Sequence, residues 1–333
     1  MNQLVECVPN FSEGRDATII KAIADSIRQV KHVKLLSVEP DKDYNRCVVT
    51  FIGEPAATVE AAFQATRTAA NLIDMTKHKG EHPRMGATDV VPFIPISGVT
   101  MEDCVRLANI YGKRVADELK IPIYLYEEAA RVPERRNLAT IRKGEYEALS
   151  AKLTDPGWAP DYGIASFNAK SGATVTGARV FLIAYNVNLT TNNKDLAHEI
   201  ALRIRESGRT IKDGSGASIK IPGSLRAVKA MGVLLERINI AQVSINLTNF
   251  NVTPPHVAFE EVRKEAQKLG INVTGSEVVG LIPKEALIIA GKHYTNNAPN
   301  VKEDQYIARA IEAMGLSQIE RFDPKKKIIE YMI

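Results

Sequence analysis

The 333 residues are 45% hydrophobic and 25% charged, an ordinary globular composition with room for two domains or one large domain split in halves. The formal charge of +4, from 43 basic and 39 acidic residues spread without a long basic tract, argues against a nucleic-acid partner and allows only a modest preference for anionic small molecules. Cys7, Cys47 and Cys104 lack the CxxC spacing of a zinc or redox set, and no segment reads as a leader or approaches the ~18 apolar residues of a membrane span, so a soluble cytoplasmic protein with reduced thiols and no membrane partner is expected.

Gln3 to Val8 reads as a short strand stopped by Pro9, followed by a polar turn over Asn10 to Gly14. Asp16 is placed to cap a helix over Ala17 to Gln29, where Ile19, Ile20, Ile23 and Ile27 recur at helical spacing. Val33 to Val38 and Arg46 to Ile52 read as two joined strands, and Gly53 with Pro55 introduces an alanine-rich helix from Ala56 to Ile73. Thr76 to Pro95 then begins as a loop and runs into a buried strand, Val90 to Ile96. Thr100 caps a helix to about Leu119, and Ile121 to Tyr126 is a further strand. The order βαββαβαβ predicts an α+β unit with helices covering one face of a sheet.

Arg131 to Arg142 reads as an exposed charged connection with a helical turn or two, and Thr154 to Arg179 as a long Gly, Pro and Ser-rich loop holding the single Trp158. Val180 to Leu189 is a strand, and Asn192 or Asn193 caps a helix from Lys194 to Glu206. Gly208 to Gly223 is expected to be a mobile loop of open role. Strands over Leu225 to Glu236 and Ala241 to Phe250, a helix from Thr253 to Leu269, a strand over Val273 to Val279, helices over Lys284 to Lys292 and Lys302 to Met314, and an apolar piece over Lys327 to Met332 complete the chain. The second half repeats the order of the first. The expected fold class is therefore α+β in two α/β subdomains, residues 1–180 and 181–333. Each is expected to be a ferredoxin-like β-sheet with helices on its outer face.

The stretch TKHKGEHPRMGATDVVPFIP concentrates His78, Glu81, His82, Arg84 and Asp89 where Gly80, Pro83 and Gly86 prevent a continuous helix. A metal is not expected here: His78 and His82 are four apart, but the spacing is not HExxH and the breakers remove the helix that would align them. A histidine with a pKa near ~6.5 suits general base work, and a backbone-bonded structural histidine is the equal alternative. Arg84 could hold a carboxylate bidentately or be an ordinary surface charge. Gly172 to Gly177 has the outer spacing of a phosphate loop, but Ala178 and Arg179 replace its lysine and hydroxyl, which argues against nucleoside triphosphate. A glycine loop with Ser166, Ser171, Thr174 and Thr176 is left, either a wrap for a flat polar ligand or a plain linker.

Four segments carry a resemblance: VECVPNFSEGR at Val5 to Arg15, LIDMTKHKGEHPRMGATDVVPFIP at Leu72 to Pro95, SGATVTGAR at Ser171 to Arg179, and FDPKKKIIEYMI at Phe322 to Ile333. Together they closely resemble the formimidoyltransferase part of the formimidoyltransferase-cyclodeaminase family, over essentially the whole chain. The resemblance implies transfer of a formimidoyl group between N-formimidoyl-L-glutamate and tetrahydrofolate in histidine breakdown, with tetrahydrofolate as co-substrate and no metal. It implies His82 as catalytic base and Glu39, where the family has an aspartate, as its acidic partner. It implies a substrate cleft between the subdomains and places folate there, against Gly163, Ile164, Ala165, Ser166, Phe167, Asn168, Ala169, Lys170, Ser171 and Gly172, with Thr176 and Gly177 close by. Arg84, Arg46, Lys170 and Arg179 are the candidate cations for the substrate carboxylates, Arg84 first because it adjoins His82. A homodimer, and a monofunctional transferase handing its product to a separate cyclodeaminase, are further implications. Formyl transfer from 5-formyltetrahydrofolate to glutamate on the same site, and a folate-binding protein without catalysis, are the alternatives. No role for His78 can be derived.

Overall fold

The computed structural model describes residues 3–332 apart from Asp43, Glu81, Asp213 and Ser215, and omits the side chain of Arg237. Glu81 of the histidine loop thus lies outside the described residues. The chain divides into two compact units, Met1–Val180 and Phe181–Ile333.

The first unit runs β1 (Leu4–Cys7), β2 (Asn10–Phe11), α1 (Ala17–Arg28), β3 (Val33–Asp41), β4 (Arg46–Gly53), α2 (Pro55–Leu72), β5 (Thr88–Ser97), α3 (Met101–Leu119), β6 (Ile123–Glu127), α4 (Leu138–Arg142), α5 (Leu149–Lys152) and β7 (Thr174–Ala178). Local chemistry sets the helix starts. Asp16 accepts from the Thr18 amide at 2.8 Å, and Thr100 forms a capping box with Asp103, so both helices begin where orphan N–H groups find side-chain acceptors. The apolar stripe of α1 buries Ile20, Ile23 and Ile27. Phe63 on α2 is fully buried, a gain of about 1.5–3 kcal/mol for such a side chain.

Across the sheet the order is β3, β4, then β1 and β2 in line, then β5, β7 and β6. The set β1-α1-β3-β4-α2-β5, with β1 between β4 and β5, is the ferredoxin-like split βαβ arrangement. Beyond β5 the sheet is widened by β7 and β6, both parallel to it and reached through the crossover helix α3. Strand β5 is buried from Thr88 to Ile94, as suits a strand covered on both faces. One core holds Phe63, Phe93 and Tyr111; a second holds Met85, Val90, Tyr124, Tyr126, Ile141 and Leu149.

Arg131 to Arg142 is largely exposed and carries short helical turns, as expected, while two of its residues anchor it: Ile141 is fully buried in the second core, and buried Arg135 donates to Asp161 at 3.0 Å and to the Ala159 carbonyl at 2.9 Å. The expectation of a loop as far as Arg179 is corrected. Within the long loop from Thr154, residues Thr174–Ala178 form the central parallel strand β7, because their small and β-branched side chains fit where both neighbours are strands.

The second unit runs β8 (Ile183–Leu189), α6 (Lys194–Ile204), β9 (Arg209–Lys212), β10 (Ser218–Ile221), β11 (Val228–Leu235), β12 (Ile240–Leu247), α7 (Pro255–Lys268), β13 (Val273–Val279), α8 (Lys284–Tyr294), α9 (Glu303–Ala313) and α10 (Pro324–Lys327). Its sheet is β11, β12, β8, β13, again the ferredoxin-like order. Residues 208–223, read as a loop, instead form the antiparallel pair β9 and β10, with Ile211 opposite Ile219. Two β-branched runs outweighed the glycines between them.

Candidate active site

The histidine loop enters β5 and is pinned by neighbours from two other motifs and from the turn after β3. Ser12 donates its amide to the Ala87 carbonyl at 2.9 Å and its hydroxyl to the Gly86 carbonyl at 2.8 Å. Ala87 donates to the Ser171 carbonyl at 2.9 Å, and Ala173 to the Met85 carbonyl at 3.1 Å. A Cβ on Gly86 would lie 2.4 Å from both the Ser171 and Ala173 carbonyl oxygens, so only glycine permits this approach. Gly80 is held as tightly, 2.3 Å from the Tyr44 carbonyl oxygen by the same construction.

Asn45 ties these pieces together from a left-handed backbone, φ +48°. Its side chain accepts the Gly14 amide at 3.0 Å and donates to the Lys79 carbonyl at 3.0 Å, while its own carbonyl lies 2.9 Å from His78 Nε2. The Nδ1 of His78 accepts from Arg84 Nε at 3.2 Å, so Nε2 carries the proton and the ring is neutral. Burial pushes its pKa below the usual value. His78 is a structural clamp, a role the sequence did not disclose.

Arg84 is buried and occupied. It donates to Glu145 at 2.9 Å and to Glu147 at 2.8 and 2.6 Å, in addition to His78. Four of its five N–H donors therefore already have partners within the chain. Lys170 donates to the Asn71 carbonyl at 2.7 Å and Arg179 to the Val180 carbonyl at 3.0 Å.

Arg46 is the cation that meets His82, with Nη1 2.7 Å from Nε2. Burial first, then the charges of Arg46 and Arg142, pushes His82 down to about 3, so the ring is neutral at ordinary pH. Tyr44 flanks both, its ring centroid 6.1 Å from that of His82 and 5.7 Å from the Arg46 guanidinium carbon. The carboxylate built into this surrounding is Asp89, which is buried, accepts the Met85 amide at 2.9 Å and pairs with Arg142. Glu39 is exposed on β3 opposite Val48, two residues before Asp41, which is opposite Arg46. It shares the Arg46 face of the sheet as a diagonal neighbour, and no hydrogen bond among the described residues joins it to His82.

The glycine loop divides into two parts. Gly163, Ile164, Ala165, Ser166, Phe167, Ala169 and Lys170 are exposed. The Phe167 ring packs 5.5 Å from Tyr146, whose hydroxyl donates to the Ala169 carbonyl at 2.6 Å. Asn168 folds the loop back, accepting from the Ser171 amide at 3.0 Å, and Ser171 and Gly172 are buried. Thr176 and Gly177 are enclosed within β7, and the Thr176 hydroxyl donates to the Val91 carbonyl at 2.8 Å. The Thr176 hydroxyl proton is thus used inside the sheet, and both residues are buried.

Tyr146 also lines a cavity of about 710 Å³ together with Met75, His78, Lys79, Arg84, Glu145 and Glu147. That volume is in the range of small-molecule sites. Sequence reasoning missed Asn45, Arg142 and Tyr146 and named Asp89 without a role; an asparagine in a turn was the available signal. Among the described residues no group of three or more His, Cys, Asp or Glu side chains is arranged to hold a metal, and no helix is long and apolar enough to cross a membrane.

Family models agree along the chain. That of the formiminotransferase domain, N-terminal subdomain, matches residues 4–179, and that of the formiminotransferase domain matches residues 184–333. Glutamate formimidoyltransferase of Streptococcus pyogenes serotype M1 is 42% identical over 99% of this chain and 98% of its own length. That of Thermoplasma acidophilum is 48% identical over 87% and 92% respectively. Formimidoyltransferase-cyclodeaminase of Mus musculus is 51% identical, and the chain spans 60% of its length. The chain belongs to the formiminotransferase domain family, with both subdomains of that family present in order.

Proposed function

We propose that the chain is a glutamate formimidoyltransferase, a folate-dependent enzyme moving a formimidoyl group between N-formimidoyl-L-glutamate and tetrahydrofolate in histidine breakdown. The observation that carries this reading is the full-length similarity, at 42% and 48% identity, to two proteins of that name. The geometry around His82 supports it.

In the transfer toward folate, N5 of the pterin attacks the formimidoyl carbon and a tetrahedral centre forms. His82 takes the N5 proton and returns it to the glutamate nitrogen as that bond breaks. A base must be neutral before the step, and burial beside Arg46 and Arg142 keeps His82 so. Glu39, a diagonal neighbour of Arg46 on the same face of the sheet, supplies a carboxylate for the imidazolium that forms. Arg46 takes a carboxylate of the glutamate moiety. The exposed side chains of Ile164 and Phe167 offer apolar contact to the flat rings of folate. The product passes to a cyclodeaminase, and the enzyme works in the cytoplasm as a homodimer. Incubation with N-formimidoyl-L-glutamate and tetrahydrofolate, following 5-formimidoyltetrahydrofolate, tests the reading; no product from either direction would remove it.

A further inference from the structure

A base takes its proton through a nitrogen lone pair, and the lone pair on His82 Nε2 faces an N–H of Arg46 at 2.7 Å. A guanidinium has only donors, so Arg46 donates and Nε2 accepts. The contact that adds to burial in keeping the ring neutral also covers the atom that must act.

The charges around the pair leave this contact open to competition. From β4 comes Arg46, from α4 Arg142, from β5 Asp89, from β3 Asp41, from the following turn Tyr44, and from the histidine loop itself Arg84. Asp89 is taken by Arg142 and the Met85 amide, and Arg84 is taken by Glu145 and Glu147. The Nε atoms of Arg46 and Arg142 are enclosed without a hydrogen-bond partner. A guanidinium bound to a neutral imidazole gives up that bond readily to a carboxylate, which offers two charged acceptors in its own plane.

We propose that Arg46 latches His82 in the empty enzyme and that a carboxylate of the glutamate substrate releases it, drawing the guanidinium into a bidentate pair and freeing Nε2. The base then becomes available only when the acidic substrate is in place. This rests on the formimidoyltransferase reading and adds to it an order of events: carboxylate capture precedes proton transfer from N5. No bond to carbon changes in the release step, and the N5 proton still passes to Nε2 and on to the glutamate nitrogen.

The test is a titration of His82 in the full chain by nitrogen-15 NMR, its signal assigned by loss in His82→Gln. It is run on the free protein, with saturating L-glutamate, and with the diamide of glutamate as a probe that lacks both carboxylates. Glutamate is expected to raise the His82 midpoint by about 1–3 units, the effect of an opposite charge replacing a like one at contact, and the diamide to leave it in place. In Arg46→Gln the midpoint is expected to be raised already, with no further response to glutamate. The two wild-type titrations decide the matter even where Arg46→Gln fails to fold. Glutamate that binds, by shifts at other signals, without moving His82 overturns the latch and leaves the transferase reading standing. Failure of glutamate to bind, together with absent formimidoyl transfer, overturns both.

Discussion

Arg84 grips Glu147 with two parallel hydrogen bonds, Nη1 to Oε2 at 2.8 Å and Nη2 to Oε1 at 2.6 Å. The same guanidinium reaches Glu145 and His78, so it joins the histidine loop to the segment that follows α4. Arg84→Ala is expected to lower unfolding free energy by about 1–3 kcal/mol, the range for charge-assisted hydrogen bonds. Both carboxylates can rehydrate at the surface, which keeps the cost below that of a fully buried pair. Arg84→Lys restores one bond and not the fork, so it falls between. Urea unfolding with an unchanged m-value measures the difference.

Asn45 separates backbone from side-chain effects. Asn45→Gly keeps the left-handed conformation and loses the bonds to Gly14 and Lys79. Asn45→Ala loses both, and is expected to be less stable than Asn45→Gly by about 1–2 kcal/mol, the cost of a left-handed alanine. Equal midpoints for the two in thermal unfolding would show that the turn relaxes.

Two carboxylates near Arg46 are expected to fail differently. Glu39 is exposed, so Glu39→Gln leaves the melting temperature unchanged and lowers kcat at least about tenfold, 1.36 kcal/mol at the barrier. Asp89→Asn leaves the nearly buried Arg142 without its counter-ion and costs about 3–5 kcal/mol of stability. A melting curve and steady-state kinetics on both variants separate the roles.

The division between what sequence shows and hides follows from the same residues. Helix starts were legible because Asp16 and Thr100 act on their own next turn. Strand β5 was legible because a strand buried on both faces is apolar along most of its length, here Val90 to Ile96. Strand β7 was not, since Thr174, Thr176 and Gly177 become strand residues only through neighbours distant in the chain. The site divides the same way. His82 was named through the resemblance, whereas the carboxylates that pair with Arg84, Glu145 and Glu147, lie more than sixty residues on and could not be read from its neighbourhood. Arg46, 36 residues before His82, is brought to it only by the fold.

Stability is expected to fall as the medium is acidified below about pH 6.5. Burial, with the nearby His293 adding to it, pushes His256 down to about 4, and His82 is pushed down to about 3. Between about pH 6.5 and those values the unfolded chain binds protons that the folded one refuses, so unfolding free energy rises with pH across that window and is fully present above it. His256→Phe removes one such proton. Its unfolding free energy should change less than that of the wild type between about pH 7.5 and about pH 5; an identical change in both would show that His256 titrates normally in the folded state.

The most direct measurement is a transfer assay with N-formimidoyl-L-glutamate and tetrahydrofolate, run on the wild type and His82→Ala while the 5-formimidoyltetrahydrofolate formed is followed. The account predicts product from the wild type and a turnover lower by roughly two to four orders of magnitude in the variant, with folate binding retained. Turnover of His82→Ala close to that of the wild type, or no product from either protein, would contradict it.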